Sequence, residues 1–285
     1  MAQGETQNRN SLEIAEIRIA WSCDLKPNGS SDSPSARESR PNVTLHILHQ
    51  PPAPFPTKEK SFDSGQTWAL FHSGSRLVLQ NTSLRSETYP SRFLILAPDL
   101  KSGDLHMTGE TPQDVDPLGY PLNQVLWILL LSQRKGLLFH ACGIDDHGRG
   151  YLFLGNSGDG KSTTAKLCFD HGLTVLNDDR IIVRQKKGRF WMYGTPWHGD
   201  FREHSSHGLP IAKMFFLRHG KKNSAQAKSG AEAVSMLLAR SFPPFWHKEG
   251  MAFTIDHCHH LVSKIPCYEL TFMPDAGIID FVRSL

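Results

Sequence analysis

Residues Gly155–Ser162 read GNSGDGKS, a match to G-x-x-x-x-G-K-[ST], the loop that cradles phosphates in nucleotide-binding proteins. The pattern constrains the fold because it works only between a buried strand and the helix it opens. Both are expected here. Tyr151-Leu152-Phe153-Leu154 is a short apolar run bounded by glycines, and Ser162–Asp170 carries good helix formers with Gly172 placed for a C-cap. Gly155, Gly158 and Gly160 let the backbone turn tightly and bring N–H groups to phosphate oxygens. Lys161 is a mobile charge for the β- and γ-phosphates, and Ser162 offers a hydroxyl to Mg²⁺. The helix N-terminus adds its dipole. The candidate cradle is therefore Gly155, Asn156, Ser157, Gly158, Asp159, Gly160, Lys161, Ser162 and Thr163. With strand and helix both in place, this reading outweighs a glycine-rich turn that binds nothing.

A chain of 285 residues has room for one large domain or two smaller ones, and 39% apolar content suffices for a core. The net charge of +3 comes from interspersed signs without a basic block, so neither nucleic acid nor an anionic membrane is expected as a partner. The cysteines are odd in number and form no C-x-x-C pair, which suits a reducing compartment. The N-terminal MAQGETQNRNS lacks a signal-peptide apolar core, and the longest apolar run, Val125–Leu131, is too short to span a bilayer. A cytoplasmic protein is the expectation, with homo-oligomer formation left open.

Taken in order, residues 1–12 read as a disordered tail and Ile14–Cys23 as a strand. Lys26–Asn42 is rich in Pro, Ser and charge with little to bury, and reads as a disordered loop. Val43–Leu48, Thr67–His72, Arg76–Gln80, Glu87–Tyr89 and Arg92–Leu96 read as strands, with Pro51–Pro56 extended, so residues 13–118 are expected to form a β-rich N-terminal subdomain. Asp114–Tyr120 is a hinge-like connector. Pro121–Gln133 is apolar nearly all round and reads as a deeply buried helix. Residues 119–285 are expected to form a second domain, which carries the phosphate loop. Its strands are read at Leu137–Ala141, Tyr151–Leu154, Leu173–Leu176, Arg180–Arg184, Phe190–Tyr193, Lys213–Leu217 and Tyr268–Phe272. Further helices are read at Ala231–Arg240 and Gly277–Arg283, and hairpin turns at Asp145–Gly148 and Lys186–Arg189.

Asn177-Asp178-Asp179-Arg180 follows the loop by one helix and one strand. If that strand lies beside the loop strand, its end delivers both carboxylates to the phosphates. One would hold Mg²⁺ and the other accept a proton from an attacking hydroxyl; the plainer alternative is a solvated turn. His140, read as ending the strand before the loop strand, is either a satisfied core histidine or a partner for the catalytic carboxylate or a phosphate oxygen. Thr195, His198 and Asp200, in GTPWHGD, are candidate substrate contacts. Asp256-His257-Cys258-His259-His260 invites a metal, but adjacent residues point opposite ways and no second pair is properly spaced, so solvated loop histidines are expected. Phe242–Trp246 (FPPFW) is a kinked apolar segment suited to the core or a lid.

A strand ending in His140, the GNSGDGKS loop and the acidic pair of LNDDR at Leu176–Arg180 together resemble the C-terminal catalytic domain of HPr kinase/phosphorylase, which is related in fold to ATP-dependent phosphoenolpyruvate carboxykinase. The resemblance covers Gly136–Tyr193 specifically and the remainder weakly. It implies Lys161 and Ser162 as ATP–Mg²⁺ ligands, Asp178 and Asp179 as metal contact and base with Asp179 favoured as base, and His140 in support. The bifunctional enzymes have a different N-terminal domain and a C-terminal segment for phosphorylase activity, neither of which is found here. GTPWHGD and YELTFMPD are more similar to the divergent HPr-kinase-like proteins of peptide-modification cassettes, the SynChlorMet type. Members of that broader group phosphorylate serine on a peptide or protein.

The combined expectation is a mixed α/β (α+β) P-loop core of the phosphoenolpyruvate carboxykinase and HPr kinase type. Its catalytic residues are Asp179, Asp178, His140 and Lys161, and its metal ligands Ser162 and Asp178. ATP and Mg²⁺ are the cofactors, and the hydroxyl of a peptide or small protein is the substrate. The alternatives are a small-molecule kinase or carboxykinase relative, and an ATP-binding partner protein without turnover.

Overall fold

The computed structural model describes residues 11–23, 40–52, 59–81, 91–108 and 116–285. Most of the tail and loop expected at 1–12 and 26–42, the strand at Glu87–Tyr89 and the start of the connector lie outside these residues. The chain forms two units, Met1–Trp127 and Ile128–Leu285. The division falls within helix α1 (Leu122–Ser132), which is buried along nearly its whole length, as its all-round apolar sequence requires.

The first unit is an eight-stranded sheet: β1 (Ser11–Ile14), β2 (Ile17–Cys23), β3 (Val43–Leu48), β4 (Glu59–Asp63), β5 (Trp68–Ser73), β6 (Arg76–Asn81), β7 (Ser91–Leu96) and β8 (Ser102–Thr108). Their order is β1-β2-β3-β8-β7-β6-β5-β4, with β3 parallel to both its neighbours. Alternation along β3 buries Val43, Leu45 and Ile47 on one face. The single strand expected at Ile14–Cys23 is instead a hairpin, and Ser11 and Leu12 belong to it rather than to a tail. Its two turn residues, Ala15 and Glu16, take φ of 51° and 61°. Such turns usually advertise themselves with Asn or Gly, and Ala-Glu gives no such signal. Strands β4 and β8, polar in sequence, were not expected.

The second unit holds β9 (Leu137–Asp146), β10 (Arg149–Leu154), β11 (Thr174–Asn177), β12 (Arg180–Lys186), β13 (Arg189–Gly194), β14 (Gly208–His219), β15 (Ser224–Lys228) and β16 (Cys267–Phe272). Two long strands change partner midway. Leu137–His140 of β9 pairs with β12, whereas Ala141–Asp146 pairs with β10. Gly208–Pro210 of β14 pairs with β13, whereas its continuation from Ile211 runs parallel to β10. Strands β9, β10, β14, β13 and β12 thereby close into a ring of pairings. One apolar cluster gathers side chains from all five ring strands and from helices α3 (Gly230–Leu238) and α4 (Lys248–Lys264). A second lies where α2 (Lys161–Asp170) and α5 (Gly277–Ser284) cover the sheet.

Several expectations are corrected. His140 lies at the partner switch of β9 and not at its end, since the strand continues to Asp146. Strand β14 is far longer than Lys213–Leu217, and β15 was missed. Asp256–His260 sits on α4 and not in a loop. There His257 is buried against Phe190 and Phe253, and burial pushes its pKa down to about 4. Among the described residues, no group of three His, Cys, Asp or Glu side chains could hold a metal ion. No described helix is long and apolar enough to cross a membrane.

Candidate active site

The loop leaves β10 at Gly155 and enters α2 at Lys161. Gly158 (φ 84°) and Gly160 (φ 100°) are left-handed, which is why glycine stands at both. Gly160 is the N-cap of α2 without any side-chain cap, so the helix offers its first N–H groups to an anion. The Asp159 carboxylate accepts the Asn156 N–H at 2.6 Å and shapes the loop from within. Lys161 Nζ donates to the carbonyls of Gly155 (3.1 Å) and Asn156 (2.8 Å). Burial lowers its pKa, partly offset by the charges of Asp179 and Asp159.

The acidic pair is set by Asn177, the last residue of β11. Its Oδ1 accepts the N–H groups of Asp179 and Arg180, both at 2.7 Å, in an Asx turn that reverses the chain at once into β12. Its Nδ2 donates to the carbonyls of Thr195 (2.8 Å) and Trp197 (3.1 Å), tying down GTPWHGD. Contrary to expectation, β11 does not lie beside the loop strand. It pairs with β9, and β14 is the parallel neighbour of β10. The carboxylates reach the loop all the same, because β9 runs between β10 and the β11–β12 segment.

The two aspartates have different surroundings. Asp178 is 1% exposed and accepts three hydrogen bonds: from Ser162 Oγ at 2.6 Å, Gly199 N at 2.7 Å and Phe201 N at 3.0 Å. Asp179 Oδ1 lies 3.0 Å from His140 Nε2 and 2.6 Å from Arg180 Nη1. Burial pushes the Asp179 carboxyl up. The His140 hydrogen bond and the charges of Arg180, His140 and Lys161 outweigh it and hold the group below its ordinary value. The Arg180 guanidinium rests 4.4 Å above the Phe242 ring, so the FPPFW segment braces this pair.

A cavity of about 320 Å³ opens here, lined by Ser157, Gly158, Gly160 to Thr163, His140, both aspartates, Gly199, Asp200 and His219. The structure thus gathers most of the expected residues. Gly155, Asn156 and Asp159 shape the loop without lining the cavity. Thr195, expected as a substrate contact, is instead fully buried framework, its hydroxyl donating to the Arg180 carbonyl at 2.9 Å. His198 is exposed on the Gly199 carbonyl and does not line the cavity either. Gly199 and His219 were missed. Had β14 been read to its full length, the rule that sites gather at the ends of parallel strands would have flagged His219.

The residues fit a nucleoside triphosphate with Mg²⁺. Ser162 hydroxyl and Asp178 carboxylate are hard oxygen donors already in contact, and left-handed glycines before an uncapped helix suit phosphate. No family model matches the chain, and no curated protein matches it. Among solved structures the chain is similar to the HPr(Ser) kinase/phosphatase from Coxiella burnetii, at 12% identity over 52% of this chain and 94% of that one, with a TM-score of 0.32. A likeness of that size carries no functional conclusion, and function has to be read from the site itself.

Proposed function

We propose that this chain is an ATP- and Mg²⁺-dependent kinase acting on a hydroxyl, with serine of a small protein or precursor peptide as acceptor. One observation carries the reading: a single cavity unites the Ser162–Asp178 contact (2.6 Å) with Asp179 held by His140 (3.0 Å). Phosphate cradling alone needs no second carboxylate. A hydroxyl acceptor does, because its proton must go somewhere. The serine-peptide class rests on the sequence resemblance.

Ser162 and Asp178 would hold Mg²⁺, which when bound neutralises charge on the phosphate oxygens. Lys161 and the N–H groups at the start of α2 orient the triphosphate. The acceptor oxygen attacks the γ-phosphorus as the bond to the β–γ bridging oxygen breaks, its electron pair leaving with ADP. The acceptor's proton passes to Asp179. His140 and Arg180 both engage Oδ1, so Oδ2 is assigned to that proton. A carboxylate held below its ordinary value is ionised at neutral pH, and a weak base suffices where positioning and charge neutralisation do most of the work.

The test is incubation with γ-labelled ATP, Mg²⁺ and a panel of serine-containing peptides, with phosphosites mapped by mass spectrometry. Phosphoserine that vanishes with EDTA is the expected result. Tight ATP binding with no transfer to any hydroxyl would favour a binding protein without turnover.

A further inference from the structure

We infer that His219 is a positioning residue for the phosphate loop, its imidazole N–H holding the Gly158 carbonyl so that an entering polyphosphate does not meet a loose carbonyl. The inference rests on the nucleotide-binding reading and goes beyond the residues assigned to it.

His219 Nε2 lies 2.6 Å from the Gly158 carbonyl oxygen. That oxygen can only accept, so the proton sits on Nε2. The peptide in question follows left-handed Gly158 (φ 84°), whose missing Cβ leaves that side of the peptide plane free to turn. Its other described restraint is the Asp159 N–H to the Asn156 carbonyl, at 3.2 Å. The His219 bond is much the shorter of the two.

The donor is itself held on rigid elements. Strand β14 runs parallel to β10, with Phe216 opposite Leu154, and His219 is its last residue. His219 is also the register partner of Phe272, the last residue of β16, and the two rings stack with centroids 6.0 Å apart. Phe272 is 1% exposed and abuts the loop itself: a Cβ on Gly160 would lie 2.5 Å from its Cζ. Two adjacent strand ends therefore present a braced ring to the loop. This is the support that precise sites require.

The experiment measures the affinity of mant-ATP for wild type, His219→Phe and His219→Gln, with thermal unfolding as a check on folding. Phenylalanine keeps the ring against Phe272 and removes the donor; glutamine keeps a donor near the Nε2 position. Loss of one hydrogen bond predicts binding about 5- to 10-fold weaker for His219→Phe, and within about 2-fold of wild type for His219→Gln. In the phosphotransfer assay the same loss should appear in KM for ATP with kcat little changed. Wild-type affinity in His219→Phe, or equal weakness in both variants, overturns the inference alone. Wild type that binds no nucleotide overturns the kinase reading and this inference with it.

Discussion

Asp178 and Asp179 are neighbours in sequence with different environments, and the proposed division of roles between them rests on that difference. Asp178 is walled in by three donors and faces the loop hydroxyl, while Asp179 answers to His140 and Arg180. Gly199 belongs to the first arrangement: a Cβ there would sit 3.0 Å from Asp178 Oδ2, so a side chain must push either the carboxylate or its backbone donor aside. Gly199→Ala is therefore expected to raise the Mg²⁺ concentration for half-maximal transfer by on the order of tenfold, as loss of a ligand's supporting bonds does. A Mg²⁺ titration checks it. Asp179 also makes a pH prediction. Its folded pKa lies below the ordinary 3.8, so its contribution to stability is fully present above that value and is lost as pH falls through the folded pKa. The stability gap between wild type and Asp179→Asn, measured by urea unfolding, should shrink as pH falls below about 4. The placement of the acidic pair near the loop was legible from residue type and spacing, whereas His140 was chosen over a core histidine only through the family resemblance. Gly199 and His219 were not legible, because their importance is a distance to something far away in sequence.

At the scale of elements, the proposed nucleotide binding depends on the start of α2. Gly160 and Gly172 flank the same helix, both with positive φ, but only Gly160 faces a wall, at Phe272. Gly172→Ala should cost only the conformational penalty, about 1–2 kcal/mol by denaturant unfolding, with nucleotide affinity kept. Gly160→Ala adds a clash and should abolish mant-ATP binding. Short strands bounded by turns were readable: β3, β12 and β13 lie where apolar runs and Lys187-Gly188 put them. Helix α4 was not readable as a helix. Its cap is His247, whose Nδ1 accepts the Gly250 N–H at 3.0 Å, and cap rules look for Ser, Thr, Asp or Asn. Its histidines, expected as solvated loop residues, include His257, which packs on aromatic rings.

At the scale of the whole molecule, the ring of strands in the second unit arises because β9 and β14 exchange partners along their length. Periodicity reports which face of a strand is buried and not which strand it meets, so this topology and the true neighbour of the loop strand lay beyond sequence reasoning. The ring carries the shared apolar cluster, so amides of β9, β10 and β14 should exchange slowest in hydrogen exchange by mass spectrometry. The exposed, irregular stretch from Arg202 to His204 should exchange much faster. That rigid frame brings the loop, Asp178, Asp179 and His140 to one cavity, and the central claim is that this cavity transfers phosphate to a hydroxyl. The most direct measurement is γ-phosphoryl transfer to a serine peptide by wild type and Asp179→Asn at saturating ATP and Mg²⁺, with mant-ATP affinity measured on the same samples. The account predicts nucleotide binding kept within a few-fold and transfer lowered by about 100-fold or more. Equal transfer by both proteins would contradict it.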